Sequence, residues 1–491
     1  SDNYLNTPYF FAIAENRDAT FYPRFYPDEK FLLQTEYRQV NENSNQIMDF
    51  SFFAEKGKKI KNHFLYEYGK YLDFTNFEES KIDLVAQHTS DDTYLKLNKL
   101  EQDEIDLDKN ILENSLDLNL YSNDLSINLN TTVYEDLVKD NSDRYEYIFP
   151  KLDIIKNFNN NTDLNGSFTL KSQNLIRNYN TNVYERKNIN DVIFSSNPKI
   201  NSLGFYNNYE FLVKNTNSNN KNSEYKNKDN LYLSSLFQYN SSLPLIKEND
   251  KYQKILKPKF AFKLAPSHTK DESSKEVKID MNNIYSVNRT SNQDTVEGGA
   301  SLVYGTEYSI LDKEDSRDLF SLKLANNFRF ENNDDLPSNN QIGEKTSNLF
   351  SEITYNPNNF IKTNYNSSLK NNLKDISYEN LIAEFKVNNL VTTFDYINEN
   401  NTSKKNTYIS NKTEFSFDES NSLAFSTRKN KSSDLTEYYN FMYQYKNDCL
   451  SASIEYNKDY YSDRELKPDE GIFFKLTIIP FGETSSPNFK N

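Results

Sequence analysis

The chain has 491 residues, enough for several soluble domains or for one large barrel. A net charge of -15 excludes a nucleic-acid binder that relies on a basic face. Hydrophobic residues make up only 36% and mean hydropathy is -0.86, values shared with disordered chains, but 36 Tyr and 35 Phe are too many for a solvated tail.

The dominant period along the chain is two. Leu116, Leu118 and Leu120 alternate with Asp117 and Asn119; the turn Ser122-Asn123-Asp124 follows; Leu125, Ile127 and Leu129 then alternate with Ser126 and Asn128. That is a hairpin written in sequence. Residues 214–230 are almost wholly Asn, Lys, Ser, Asp and Glu and are predicted as a loop. Residues 301–310 read as a strand. In residues 320–330, Phe320, Leu322, Leu324, Phe328 and Phe330 share one face, and Ser321, Lys323, Asn327 and Arg329 take the other. Residues 331–345 are again polar, without period, and are predicted as a loop that buries no core. Residues 381–387 read as a strand. Tyr439, Phe441, Tyr443 and Tyr445 alternate with Asn440, Met442, Gln444 and Lys446, and Ile472, Phe474, Leu476 and Ile478 alternate with Phe473, Lys475 and Thr477. No amphipathic helix of three turns and no composition shift interrupts this, so residues 1–491 read as one all-β domain.

Two architectures fit: a soluble all-β protein, or a large antiparallel transmembrane β-barrel. Three features favour the barrel. One strand face is apolar and aromatic while the other is polar and charged, as when lipid lies outside and water inside. Tyr and Phe gather near strand ends, as in interfacial girdles. Long acidic connections contrast with short turns, as outer loops do with periplasmic turns. No run approaches the ~20 apolar residues of a membrane helix, which leaves the weaker hydropathy signal of barrel strands untouched.

Nothing nominates catalytic residues or a cofactor: there is no Ser-His-Asp order, P-loop or Gly-rich dinucleotide motif. His63, His88 and His268 lie far apart without ligand spacing, so no metal site is expected. Glu101, Asp103, Glu104, Asp106 and Asp108 read as a solvated acidic turn, lacking the Gly and ligand order of a calcium loop. Cys449 is the single thiol and cannot close an internal disulfide; by residue type alone it reads as a buried free Cys. Proline has no N–H, so it belongs at strand ends, edges or seams. Pro8 and Pro23 lie in early strands, where they either weaken pairing or end a strand. The last strand is predicted over residues 471–481, with Pro480 at its end.

The opening of the chain carries more. Pro8-Tyr9-Phe10-Phe11-Ala12-Ile13-Ala14-Glu15-Asn16-Arg17-Asp18-Ala19-Thr20, then Tyr22-Pro23-Arg24-Phe25-Tyr26, then Thr35-Glu36-Tyr37-Arg38, resembles the "PYYW-IAPN-DAT-TP-Y" and "EYR" segments of the lipopolysaccharide-assembly family LptD (also OstA or Imp). Phe10 and Phe11 replace the aromatic pair, and Glu15 stands where the family often has Pro. Ser90-Asp91-Asp92-Thr93-Tyr94-Leu95 resembles the family's "SD-tYL" strand. Phe149-Pro150-Lys151-Leu152 resembles its "P-L" segment, and Leu256-Lys257-Pro258 its "LEP" strand, with Lys257 departing from the acidic residue. Asn288-Arg289, Asp294-Thr295-Val296-Glu297-Gly298-Gly299 and Tyr304-Gly305 resemble "NR-DRVEGG-YG". Asn447-Asp448-Cys449-Leu450, and the end at Pro480-Phe481-Gly482, resemble "NDCL" and the last strand. Each motif is weak alone; the ordered set, spanning nearly the whole chain, is strong.

The resemblance implies an outer-membrane translocon that inserts lipopolysaccharide into the outer leaflet, and no enzyme. It implies one barrel of about 24–26 strands. The implied partners are lipopolysaccharide, outer-membrane lipids, an LptE-like plug lipoprotein in the lumen, and a periplasmic transport bridge reached through an N-terminal jellyroll domain. The jellyroll and signal peptide are expected to lie outside this chain, which opens at Ser1-Asp2-Asn3, together with part or all of the first barrel strand. A polar lumen takes the sugars, and a lateral gate between first and last strands releases acyl chains into lipid. Ile472, Phe474, Leu476, Ile478 and Pro480 form one side of that gate on this reading; on the other they are an ordinary terminal strand. In the family a Cys at the position of Cys449 pairs with the periplasmic domain, so Cys449 is expected to be one half of such a disulfide. A generic outer-membrane channel or receptor barrel shares the composition but not the ordered motifs.

Overall fold

The computed structural model describes residues 4–27, 29–100, 110–159, 165–221, 230–266, 270–290, 293–400, 405–447, 450–460, 469–478 and 482–485. Among them, 29 strand segments form a single sheet, and the one α-helix is the short Tyr94–Asn98. Five segments are short: Leu5–Asn6, Tyr9–Ala14, Lys199–Ile200, Leu245–Glu248 and Gly482–Ser485. The other 24 run from nine to 16 residues, and each pairs antiparallel with the next in the chain. Asp469–Ile478 pairs with Gly482–Ser485, which meets Leu5–Asn6, which pairs with Arg17–Phe25. The sheet thereby closes on itself as a barrel, which removes the free edges that invite aggregation.

The period of two sets the two faces. Asn327 and Arg329 point inward and are buried, whereas Phe328 and Phe330 point outward at 39% and 54% exposure. This polarity is the reverse of a soluble sandwich. The largest fully buried side chains include Arg24, Arg289, Arg329 and Lys263, while Phe10, Phe211, Leu233, Phe394 and Phe474 stand exposed. Charged groups inside and a broad apolar surface outside fit a lipid-facing wall. Outward aromatics form a row across neighbouring strands: Phe168, Phe194, Tyr209 and Phe237 follow at centroid distances of 4.9, 5.8 and 6.3 Å. They lie towards the end with short turns, as an interfacial girdle does. The long connections 90–110, 266–298 and 330–348 all leave the other end, which in outer-membrane barrels faces outward.

Several expectations need correction. Residues 214–221, predicted as loop, continue the strand Tyr206–Lys221, pairing with Val183–Ser196 at positions such as Thr216 with Ile189. A ladder consists of backbone bonds and needs no apolar side chain, so polar composition hid it. Ser90 to Leu95, expected as a strand, turns through Asp91, whose carboxylate accepts from Thr93 N and Oγ1 at 3.2 and 2.9 Å, into the helix Tyr94–Asn98. Residues 331–345 are irregular as expected, but they do bury a core: Leu336 and Ile342 are 2% and 0% exposed. The last long strand is Asp469–Ile478, and the short Gly482–Ser485 follows it before the ring closes.

Candidate functional site

Three features converge on the barrel interior: a folded-in connection, a thinly paired seam, and a shelf beside the seam. The described residues of the connection 266–298 lie back against the inner wall. Ile279 and Ile284 pack on Ala261, Val303, Ala325 and Phe350. Polar wall residues reach its backbone: Gln238 donates to Tyr285 O at 2.8 Å, Lys263 to Val287 O at 3.1 Å and Lys214 to Gln293 O at 2.6 Å.

At its heart one carboxylate faces three cations. Glu297 accepts from Arg289 Nε at 2.8 Å, and again from Arg289 Nη2, a bidentate pair. Arg329 Nη1 donates to Glu297 at 2.7 Å, and Lys263 Nζ lies 3.8 Å away. Two further donors are met: Arg289 Nη1 reaches Asn327 Oδ1 at 2.8 Å and Arg329 Nη2 the carbonyl of Gly298. Burial alone would raise the Glu297 pKa, but the charges of Arg289, Lys263 and Arg329 hold it far below the usual carboxylate range. Asp294 is likewise lowered against burial, by Lys187 and Lys270 at 3.3 and 2.9 Å. Two glycines make room. Gly299 sits at φ +92°, and a Cβ there would meet the Arg329 guanidinium; at Gly305 a Cβ would collide with Leu324 O and the Tyr285 hydroxyl. The connection therefore acts as an internal plug. It leaves a cavity of about 450 Å³ against the wall, lined by Lys171, Asp191, Glu210 and Lys214 on the polar side and Ile193 and Val296 on the apolar side.

The seam is built differently. Gly166–Tyr179 pairs with Val183–Ser196 at 14 positions. Across the closure, Asn6 with Ser485 is the one pair among the described residues. Tyr9–Ala14 pairs with Arg17–Phe25 on one side and is exposed at every position. Beside it, residues 90–100 form a shelf over the inner wall: Tyr94, Leu95 and Leu100 join Leu32, Leu65, Leu112 and Leu137. Tyr94 OH lies 3.0 Å from Ser51 Oγ, and burial pushes its phenol up to about 12. Arg24, fully buried, donates to the carbonyls of Asn98 and, at 2.7 Å, Lys99.

The residues singled out in the sequence are scattered along this seam. Pro8 falls in the break between Leu5–Asn6 and Tyr9–Ala14. Pro23 lies inside Arg17–Phe25, where its carbonyl accepts from Thr7 N at 3.2 Å, so the two prolines stand nearly opposite each other. Ile472 and Phe474 point outward at 38% and 40% exposure, registered with Tyr456 and Ile454. Leu476 pairs with Ala452 and with Thr484, and Ile478 with Leu450 and Gly482. Pro480, Cys449 and the acidic run 101–108 lie outside the described residues. Sequence reasoning assigned no role to Arg24, Lys99 or the Arg289–Glu297–Arg329 cluster. Its signal was available in part, because Arg289, Glu297, Gly299 and Gly305 all stood in quoted motifs.

No curated protein matches the chain. Among solved structures, the ferric-catecholate import receptor Fiu of E. coli K12, in its open form, is similar at 9% identity and a TM-score of 0.30, over 97% of this chain and 74% of that one; so low a score carries no argument. The family described as LPS transport system D (LptD) matches residues 61–428, well over half of the sequence and inclusive of the plug, though not of the seam. The chain belongs to the LptD family.

Proposed function

We propose that lipopolysaccharide leaves this barrel sideways, through the seam where Asp469–Ile478 and Gly482–Ser485 meet Leu5–Asn6 and Tyr9–Ala14, while the polar lumen holds its sugars. Family membership carries the coarser part, a role in lipopolysaccharide transport at the outer membrane. The observation that supports the seam is its single cross-pair, Asn6 with Ser485, in a wall whose other strands pair along most of their length. An unsatisfied backbone edge is tolerated at membrane depth only where water or another polar group meets it. A passage that wets one side and greases the other suits an amphiphile whose acyl chains must not enter water. On this reading Ile472, Phe474, Leu476, Ile478 and Pro480 form one lip of the gate. Pro8 and Pro23, neither with an N–H to give, keep the other lip loosely paired. The cell outer membrane, an LptE-like plug lipoprotein in the lumen, a periplasmic transport bridge reached through an upstream jellyroll, and a disulfide from Cys449 to that domain complete the proposal.

The test places a photoreactive residue at Phe474 or at Phe473 of the protein in its full-length context, irradiates cells, and probes for a lipopolysaccharide adduct. An adduct at Phe474 that depends on the transport bridge supports the gate. An adduct at Phe473 alone moves the exit elsewhere, and none at either position favours a generic channel.

A further inference from the structure

A second cavity, of about 350 Å³, opens beside the seam at the end of the barrel that carries the long connections. Its chemistry departs from the rest of the molecule. In a chain of net charge -15, its lining holds four lysines, Lys30, Lys58, Lys61 and Lys99, against two carboxylates, Glu55 and Asp91. The carboxylates are engaged: Lys58 lies 2.9 Å from Glu55 and Lys61 2.7 Å from Asp91. The lysines come from three separate places in the chain, Lys30, the neighbouring Lys58 and Lys61, and Lys99, so neighbouring sequence explains only one pair of them. Aromatic rings line the same cavity. Tyr4 and Tyr26 meet at 5.4 Å, and Tyr26 meets Phe53 edge-on at 6.0 Å. Lys99 Nζ sits 5.8 Å above the ring of Phe473, the inward neighbour of the two outward gate residues.

Lys99 is also held in place from below. Its φ of 44° puts it in the left-handed region, and buried Arg24 fixes its carbonyl at 2.7 Å. The anchored backbone fixes where the side chain starts, and its flexible stem carries the ammonium as a point charge. Aromatic faces together with cations in one cavity suit a ligand that offers both a sugar ring's C–H face and an anion.

We propose that this cavity holds the phosphorylated amino-sugar headgroup of the lipid as it passes the seam. Lys99 and Lys58 contact the phosphate, and Tyr26 and Phe53 take the ring. The assignment rests on the lateral-exit reading and adds to it a place where the headgroup pauses. It also supplies a reason for cations beside a gate on an acidic barrel: the anion is held at the mouth by charge and left free to move on by water.

The experiment uses the barrel in phosphatidylcholine nanodiscs. The probe is a fluorescent, acylated, bisphosphorylated glucosamine disaccharide, compared with its dephosphorylated twin by anisotropy. The wild type should prefer the phosphorylated probe by about tenfold or more, the effect expected of charge-assisted contacts. Lys58→Gln with Lys99→Gln, both at exposed positions, should erase that preference while leaving the heat-dependent gel shift of the folded barrel intact. Lys99→Arg should keep it. An unchanged preference in the double glutamine variant overturns the assignment. So does displacement of the probe by an equimolar amount of inorganic phosphate, which would mark a site for simple anions. The crosslink at Phe474 reads the conduit separately: an adduct there alongside unchanged binding removes the cavity and leaves the gate, whereas loss of the adduct removes the gate itself.

Discussion

The barrel has a closed side and an open side, and they are held by different physics. On the closed side, Tyr252–Ala265 and Gly299–Asp312 pair at 14 positions, and the connection between them returns inward to a buried cluster around Glu297. On the open side, Leu5–Asn6 meets Gly482–Ser485 at one pair, and what stiffens the neighbourhood is a shelf of side chains anchored by Arg24. A ladder of many bonds, each worth ~1 kcal/mol net, cannot part locally without large loss, while a one-pair seam can. The contrast teaches that a wall this large need be weak in only one place, and that the plug belongs to the strong side.

The largest expected effect tests the closed side. Glu297→Ala strands Arg289 and Arg329, both buried, and should destabilise the plug by ~3–5 kcal/mol, the range for breaking a buried pair by removing one partner. The readout is protease cleavage within residues 266–298 of the folded barrel, which should rise steeply; unchanged protection would show that the cluster does not hold the connection. Next comes the shelf. Arg24→Ala removes charge-assisted bonds to two backbone carbonyls and should cost about 2–3 kcal/mol, seen as faster hydrogen exchange at residues 94–99 with the plug unaffected. If exchange rises equally in the plug, the two sides are coupled and the comparison fails. Gly305→Ala should cost about 1–3 kcal/mol by overpacking; its Cβ would meet both Leu324 O of the neighbouring strand and the Tyr285 hydroxyl, so exchange should rise in that ladder and in the plug but not at residues 94–99.

The smallest effect is one of pH. The folded Glu297 carboxyl lies below its ordinary value of 4.5, so the unfolded state binds the proton more readily. Its stabilisation is full above that ordinary value and declines as pH falls towards the lowered folded one. Plug protection should stay flat from neutral pH down to about 4.5 and weaken below it. Glu297→Gln should abolish that part of the acid dependence, and a wild type whose protection falls already near neutrality would contradict the assignment.

Much of the wall was legible because a barrel strand states its two faces in alternate residues. The hairpin Ile111–Tyr121 and Leu125–Asp136, and the faces of Asp318–Arg329, follow directly from that period. The interior was less legible. Alternation says that Arg329 points inward but not what it meets, because its partners Glu297 and Gly298 belong to a connection with no period at all. Polar composition misled twice, at residues 214–221, where backbone pairing alone makes the strand, and at 331–345, where Leu336 and Ile342 supply a core too sparse to show as a pattern. The seam was legible in part, from prolines. The Gly482–Ser485 segment between the last long strand and Leu5–Asn6 was not, because a four-residue strand carries almost no signal.

The central claim is that the one-pair seam must open, and a disulfide lock tests it most directly. Asn6→Cys with Ser485→Cys crosses the seam at its registered pair, and Thr392→Cys with Thr413→Cys crosses the wall elsewhere, both with Cys449 retained. Oxidation of the seam pair should stop lipopolysaccharide from reaching the cell surface and reduction should restore it, while the wall pair has no effect. Delivery at the unlocked rate through an oxidised seam would contradict the account.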